Sequence, residues 1–572
     1  MLTWVEFGAY ATKFRNAMHL QLNRAFPRLY KTLIHTMHTP HNPLTLAMTS
    51  YHKLPVELWA HISGFLSRSG LYNVLQTNRL FHDIALPILY RSIIWNDPVD
   101  VANHLPFWDS HPEMKQIPRS LVFAVSPPRC ICEEFGPQVA VADGRTNAAI
   151  TTAYRADLRS HHLDLLPHSA THYTQYDQPE VCASPQLHYL MCTMITSFQH
   201  LEMLAFRNTI LPETFFATIH SLPSLRTLHL QGVILPEYAP DSVQNNRNLP
   251  ITELTLWGLD NLEPSGNARF FPLATASNLR TLRVDSTARV FAWIINKEFT
   301  GSVVAPSKLT NIYLRILKGQ PHDTLSCPGL FVMSLLWFLG CHGSALPLER
   351  LSISGYGQNV GCLFPDVCLP PLSYLRVPLD LIVPILGKAS QNLESLDISE
   401  GIVSTRDLTN TLSELGCSKS TRNLGLALKS WDEAILPVIT QLFPGLKSLK
   451  MTYWSSDGPW IVEPPSDLHL IGPKCLAHLR SLETFQLYSV SPPPDHYIHL
   501  PPIARQHPLV YATQSQIQSR PFFDGDHKVK DLLAEWSEFS ESLVEVKFEP
   551  ARVWRRAGPG QEWDVRAVHI PA

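Results

Sequence analysis

From residue 201 onward one short hydrophobic pattern keeps returning: an apolar residue, two variable residues, an apolar residue, one variable residue and a third apolar residue. It stands at Leu201-Leu204-Phe206, Leu225-Leu228-Leu230, Ile251-Leu254-Leu256, Leu279-Leu282-Val284, Leu309-Ile312-Leu314 and Leu348-Leu351-Ile353. It continues at Leu372-Leu375-Val377, Leu393-Leu396-Ile398, Leu446-Leu449-Met451, Leu482-Phe485-Leu487 and Leu543-Val546-Phe548, with a weaker Thr421-Leu424-Leu426 among them. First positions of these twelve copies are 24, 26, 28, 30, 39, 24, 21, 28, 25, 36 and 61 residues apart, which is mostly the period of a stacked repeat array. The last two apolar positions of a copy are two residues apart, so both side chains share one face of a strand. Stacked copies therefore predict a parallel sheet with a core-facing side and a continuous concave outer side. Between copies, Pro212 to His220 and Ala434 to Leu442 have helical spacing and are expected on the convex side.

The amino-terminal part reads differently. Trp4, Phe7, Ala11, Phe14, Met18, Leu22, Ala25, Leu29 and Leu33 recur every three or four positions, the spacing of an amphipathic helix. No acidic residue occurs between Phe7 and Val56, whereas Lys13, Arg15, Arg24, Arg28, Lys31 and Lys53 are basic. Three readings stand side by side: an auxiliary helix packed on the next domain, a mitochondrial presequence, and a translation start at Met48. Next, Leu54-Pro55 followed by Val56, Glu57, Leu58, Ile62, Phe65 and Leu66 predicts a short helix with proline near its first turn. Ser67 to Gly70 break it, Leu71, Val74 and Leu75 mark a second helix, and Leu80, Phe81, Ile84, Ala85, Leu89 and Tyr90 a third. Three helices in about forty residues bury too little surface to be robust alone and need a partner or a neighbouring domain.

Val125 to Gln186, rich in His, Ala, Thr and Pro, breaks the periodicity and reads as an insertion. At the other end, Val553-Trp554-Arg555-Arg556, Gly558-Pro559-Gly560 and Trp563-Asp564-Val565 read as a hairpin covering the edge of the last repeat. The expected organisation is an extension over 1–47, a trihelical unit over 48–95, and a linker with a first turn and the insertion over 96–196. The solenoid then occupies 197–550, and the capping hairpin 551–572.

Composition narrows the function. The 572 residues are 45% hydrophobic and 17% charged, which excludes disorder as a description of the whole chain. With 46 basic and 49 acidic residues the net charge is −3, so a nucleic-acid partner is not expected. The 47 prolines outnumber the 26 glycines and imply many short elements joined by rigid turns. Ten cysteines over this length fit buried thiols in a reducing compartment better than a disulfide scaffold. No run approaches 18 consecutive apolar residues, so no membrane association is expected, and the location is read as cytoplasmic or nuclear, with mitochondria as the minor alternative.

The segment HKLPVELWAHISGFLSRSGLYNVLQTNRLFHDIALPILYRSI, starting at His52, resembles an F-box. The opening Leu-Pro-x-Glu-Leu, Ile62, Leu66, Leu71 and the closing Leu89-Tyr90-Arg91 follow the family pattern. It departs where many members carry Val-Cys-x-x-Trp and this chain has Gln76-Thr77-Asn78-Arg79-Leu80-Phe81, with Phe81 able to replace the aromatic bulk. The later copies resemble leucine-rich repeats in the core hexapeptide alone, because the Asn/Cys ladder position is not maintained. Together the resemblances imply an α/β chain: a small three-helix F-box followed by an irregular leucine-rich-repeat solenoid with a parallel concave sheet. They imply a substrate receptor of an SCF-type ubiquitin ligase, docked to the adaptor and through it to cullin; a non-ligase interaction scaffold is the alternative. Leu54, Pro55, Leu58, Ile62, Leu66, Leu71, Val74 and Leu75 are the expected adaptor contacts, some of which must also serve the module's own core.

Catalytic signatures are missing. Cys130-x-Cys132 and the group Cys182, His188, Cys192, with His161, His162, His168 and His172 nearby, lack the doubled close pairs of a structural zinc site. Gly355, Gly357 and Gly361 have one residue too many for a dinucleotide fingerprint, and Gly387-Lys388 lacks the upstream glycine of a P-loop. Neither metal, cofactor nor catalytic residue is expected. For the target, the central copies turn Trp257, Arg283, Asp285, Tyr313, Arg315, Arg350, Tyr374 and Arg376 outward. Arginines interleaved with aromatics are hot-spot residue types and favour an acidic or phosphorylated protein segment.

Overall fold

A computed structural model describes residues 55–96, 98–124, 191–209, 211, 214–233, 249–259, 271–274, 276–285, 306–316, 339, 346–355, 371–386, 393–415, 420–454, 468–490, 526–549 and 552–567. The amino-terminal extension, Leu54, the insertion from Val125 to Gln186, the cysteines and histidines from Cys130 to His188, and Gly357, Gly361, Gly387 and Lys388 fall outside them. The chain divides into two units, Met1–Val243 and Gln244–Ala572.

In the first unit three short helices form, α1 (Val56–Ser63), α2 (Arg68–Leu75) and α3 (Arg79–Tyr90). Their starts are set by local chemistry. Pro55 precedes α1 in an extended conformation, Ser67 Oγ accepts from the Gly70 amide at 3.2 Å, and Asn78 Oδ1 accepts from the Phe81 amide at 2.9 Å. Leu71, Val74, Ala85 and Leu89 make one small core; Trp59 and Ile84 make a second. Phe81 packs against both, meeting the Trp59 ring edge-on at 4.9 Å.

Strands follow at once: β1 (Ser92–Trp95), then helix α4 (Pro98–Ser110), β2 (Ser120–Phe123), β3 (Met203–Arg207), α5 (Phe215–His220) and β4 (Thr227–Gln231). All four strands are parallel, with Ile93, Leu121, Leu204 and Leu228 in one lateral row and Trp95, Phe123, Phe206 and Leu230 in another. The ladder thus begins at Ser92, ahead of residue 197, and the stretch expected to be linker contributes β2. Both early copies obey the spacing but hide it: Tyr90 stands in the first position of one, and buried Pro118 in that of the other. Tyr90 also stacks on Phe107 at 5.2 Å and meets Trp108 edge-on at 5.4 Å, joining α3 to α4.

The second unit carries β5 (Glu253–Trp257), a single turn α6 (Phe271–Ala274), β6 (Thr281–Asp285), β7 (Asn311–Ile316), β8 (Arg350–Gly355), β9 (Tyr374–Arg376), α7 (Leu379–Leu386), β10 (Ser395–Val403) and α8 (Thr405–Leu415). It goes on with β11 (Asn423–Leu428), α9 (Ile435–Leu442), β12 (Ser448–Trp454), β13 (Thr484–Val490), α10 (Asp526–Phe539), β14 (Glu545–Glu549), β15 (Arg552–Arg555) and β16 (Asp564–Ala567). Strands β5 to β14 are parallel in chain order; β15 and β16 turn antiparallel and form a hairpin. Successive helices pack on one another, α7 on α8, α8 on α9, and the 472–476 turn between α9 and α10.

First-position residues of all twelve copies are buried to 2% exposure or less. The polar one, Thr421, is tolerated because its hydroxyl donates to the Leu393 carbonyl at 3.0 Å. Strand exits show why the Asn/Cys position varies: Asn208, Gly232 and Gly258 all take a left-handed backbone, with φ of 48°, 60° and 62°. A Cβ on Gly232 would meet the Asn208 side-chain oxygen at 2.4 Å, so glycine answers both the turn and the close approach.

The hairpin is fastened by one buried side chain. Arg556, 5% exposed, donates to the carbonyls of Leu543, Ser540 and Glu541, just beyond the C-terminus of α10. Its guanidinium stacks over Trp563 at 5.2 Å, and the Trp563 indole donates to Ser537 at 3.0 Å. Replacing Arg556 by Ala strands three carbonyls, and a loss of about 3 kcal/mol is expected from the cost of unmade buried hydrogen bonds. The check is a denaturant midpoint of R556A against R556K, which keeps the charge and is expected to recover part of the loss.

Candidate functional site

Two surfaces carry side chains suited to partners. The first is the trihelical unit, where Val56, Leu58, Phe65, Tyr72 and Leu80 stand 40% to 50% exposed. Of the residues expected to face a partner, Pro55 and Leu58 are exposed, while Ile62, Leu66 and Leu75 are half-buried and pack against the two small cores. Leu71 and Val74, at 5% and 1% exposure, are the members of the expected set that lie in the module's own core. Val56, Phe65, Tyr72 and Leu80 are exposed without belonging to the expected set, because helical spacing alone does not tell which side of a short amphipathic helix is covered by its sister helices.

The second surface is the outward side of β5 to β15. Lateral pairing places Glu253, Thr281, Asn311, Arg350, Tyr374 and Ser395 in a first row. A second row is Thr255, Arg283, Tyr313, Ser352, Arg376, Asp397, Gly425, Lys450, Gln486 and Lys547. Asp285, Arg315 and Ser354 belong to a third, with Trp257 at the matching position of β5. The residues chosen from spacing therefore alternate with the buried leucines: Arg350 is exposed, and Trp257, Arg283, Tyr313, Arg315, Tyr374 and Arg376 are half-buried.

Not every outward position is open. Thr255, Thr281, Asp285 and Ser352 are buried, and Asp285 accepts the Gly258 amide at 2.6 Å, so it serves the strand exit. Charge is also more balanced than four arginines suggest. Glu253 pairs with Arg283 at 3.2 Å, and Asp397 lies 3.7 Å from Arg376. Two stacks run across neighbouring strands, Arg283 over Tyr313 at 5.1 Å and Arg350 over Tyr374 at 5.9 Å. Burial raises the Tyr374 pKa above its ordinary value, and Asp397 adds to the rise, so the phenol keeps its proton.

Chemistry of other kinds is not assembled among the described residues: they hold no group of three metal-ligating side chains. Cys192 and Cys475 are buried, and burial pushes each thiol up to about 12. Among the described residues no helix is long and apolar enough to cross a membrane.

No protein-family model matches the chain, and no curated protein matches it. Among solved structures it is similar to "Crystal structure of Rad7 and Elc1 complex in yeast", with 14% identity, 52% of this chain and 73% of that chain covered, and a TM-score of 0.28.

At the C-terminal end of the outward side, Glu545 receives Lys547 at 2.9 Å and Arg555 at 2.6 Å. Burial pulls its pKa up, but these hydrogen bonds and charges outweigh burial and hold the carboxyl below the usual range. A depressed carboxylate stabilises the fold above its unfolded pKa of about 4.3, and that stability is lost as pH falls through the folded value. Wild type is thus expected to lose more stability than E545Q between about pH 5 and pH 2, as read by urea midpoints across that window.

Proposed function

We propose that the chain is the substrate-recognition subunit of an SCF-type ubiquitin-protein ligase and has no active-site chemistry of its own. What supports this reading is a trihelical unit that closes two very small cores and still leaves five large apolar side chains exposed. A soluble unit with that distribution gains by covering them, and helix-borne anchors of this size are what a groove on an adaptor buries. The adaptor then links the chain to cullin and the ubiquitin-charged enzyme, in the cytoplasm or nucleus. The repeat ladder holds a protein target by its outward rows, where arginine and aromatic residues supply the hot-spot chemistry. Mechanism reduces to proximity: target lysines gain a high effective concentration beside the charged enzyme.

Leu58 and Phe65 are 42% and 46% exposed, so both can be changed with little harm to folding. The double variant Leu58→Lys with Phe65→Lys is expected to reduce capture of the adaptor subunit by more than about tenfold, since each apolar anchor contributes roughly 1.5–3 kcal/mol when buried. Co-purification from cells, with circular dichroism to verify folding, checks this. Undiminished capture would reject adaptor docking by this unit.

A further inference from the structure

Arg68 opens α2 and stands one helical turn before Tyr72, so both side chains leave the helix on the same side. Arg68 is exposed, and Tyr72 is 47% exposed. Their side leads to Tyr90, at the end of α3. Burial raises the Tyr90 pKa, Tyr72 adds to the rise and Arg68 opposes it, so the guanidinium and the two phenols lie close enough to act on one another. All three groups carry donors. Among the described residues no oxygen receives the Arg68 guanidinium, and the first turn of α2 holds no acid. Between Pro55 and Arg91 the acids are Glu57 and Asp83, and Asp83 lies against His82 at 3.3 Å.

We propose that Arg68, with Tyr72 beside it, is the polar anchor of the docking face and receives a carboxylate side chain of the adaptor. The assignment rests on the receptor reading above and names the chemistry that its partner presents. Desolvation selects the occupant. When a partner covers Tyr72, Arg68 loses water with it, and a guanidinium left unpaired in a covered interface opposes binding. A purely apolar groove would therefore be a poor fit for this face. A carboxylate meets the planar fork with two parallel bonds and keeps acceptor sites for the Tyr72 hydroxyl, whereas a neutral amide offers one oxygen and a second base is repelled. Charge over the unit agrees with an acidic partner surface: Pro55 to Arg91 holds three arginines and two acids, in a chain whose net charge is −3. Arginine and tyrosine are also side chains enriched at interface hot spots.

The experiment titrates the full chain with the purified adaptor subunit at about 50 mM and about 500 mM salt, with circular dichroism on each variant to verify folding. R68Q removes the charge, and at the lower salt it is expected to bind about tenfold or more weakly than wild type, with R68E weaker still. R68K is expected to recover part of the loss, because lysine keeps the charge without the bidentate fork. Salt separates an ion pair from a packing role: raising it is expected to weaken wild type and to leave R68Q nearly unchanged. R480Q, which removes an exposed arginine of the second unit, is expected to match wild type. R68Q binding within about twofold of wild type at the lower salt would overturn the anchor. Equal salt dependence in the two, or an equal loss in R480Q, would do the same. If the anchor fails while L58K/F65K still loses the adaptor, docking by the trihelical unit stands. Wild type that binds no adaptor at either salt would reject the receptor reading and the anchor together.

Discussion

One backbone contact recurs at the entries of β2 to β4 and β6 to β14: a single carbonyl oxygen accepts the amides of two successive residues of the next repeat. Arg280 O receives Thr310 and Asn311, Thr310 O receives Glu349 and Arg350, and Glu394 O receives Arg422 and Asn423. Because only main-chain atoms take part, this lock is indifferent to what lies between strands, and first positions from 21 to 83 residues apart, the latter from Pro118 to Leu201, are accommodated. What it demands of the sequence is small: an apolar residue at the second and third positions to fill the core row, and a residue able to leave the strand in the right direction. Parallel pairing with helices on the covered side is the usual solution for strands of this kind.

Register has a functional consequence. It brings together side chains that are 20 to 40 residues apart in sequence and decides which outward residues become neighbours. Arg283 and Tyr313, Arg350 and Tyr374, and Arg376 and Asp397 are each pairs directly opposite one another on adjacent strands. An outward row is therefore a composed surface, tunable one residue per repeat without disturbing the core row behind it.

Much of this was legible in the chain. The hexapeptide rhythm located the later strands, and alternation separated core from outward residues, since the pleat has a period of two. The two earliest strands were hidden because Pro118 and Tyr90 occupy positions that leucine takes elsewhere. Charge balance was misjudged for a different reason: the acids that pair with Arg283 and Arg376 sit one repeat away, and only lateral register reveals them. Burial of Asp285 and of Leu71 and Val74 follows from tertiary packing, which no spacing rule encodes. Arg556 carried no sequence signal beyond its place in a short aromatic-rich turn; its role depends on carbonyls left open at the end of α10.

The central idea is a division of labour, in which the trihelical unit takes an adaptor and the outward ladder is left for a target. Amide hydrogen exchange on the full chain, with and without a saturating adaptor subunit, tests it most directly. The account predicts slowed exchange confined to the segment from Pro55 to Tyr90, with β5 to β14 unchanged. Protection on the outward strands, or no protection among the three helices, would contradict it.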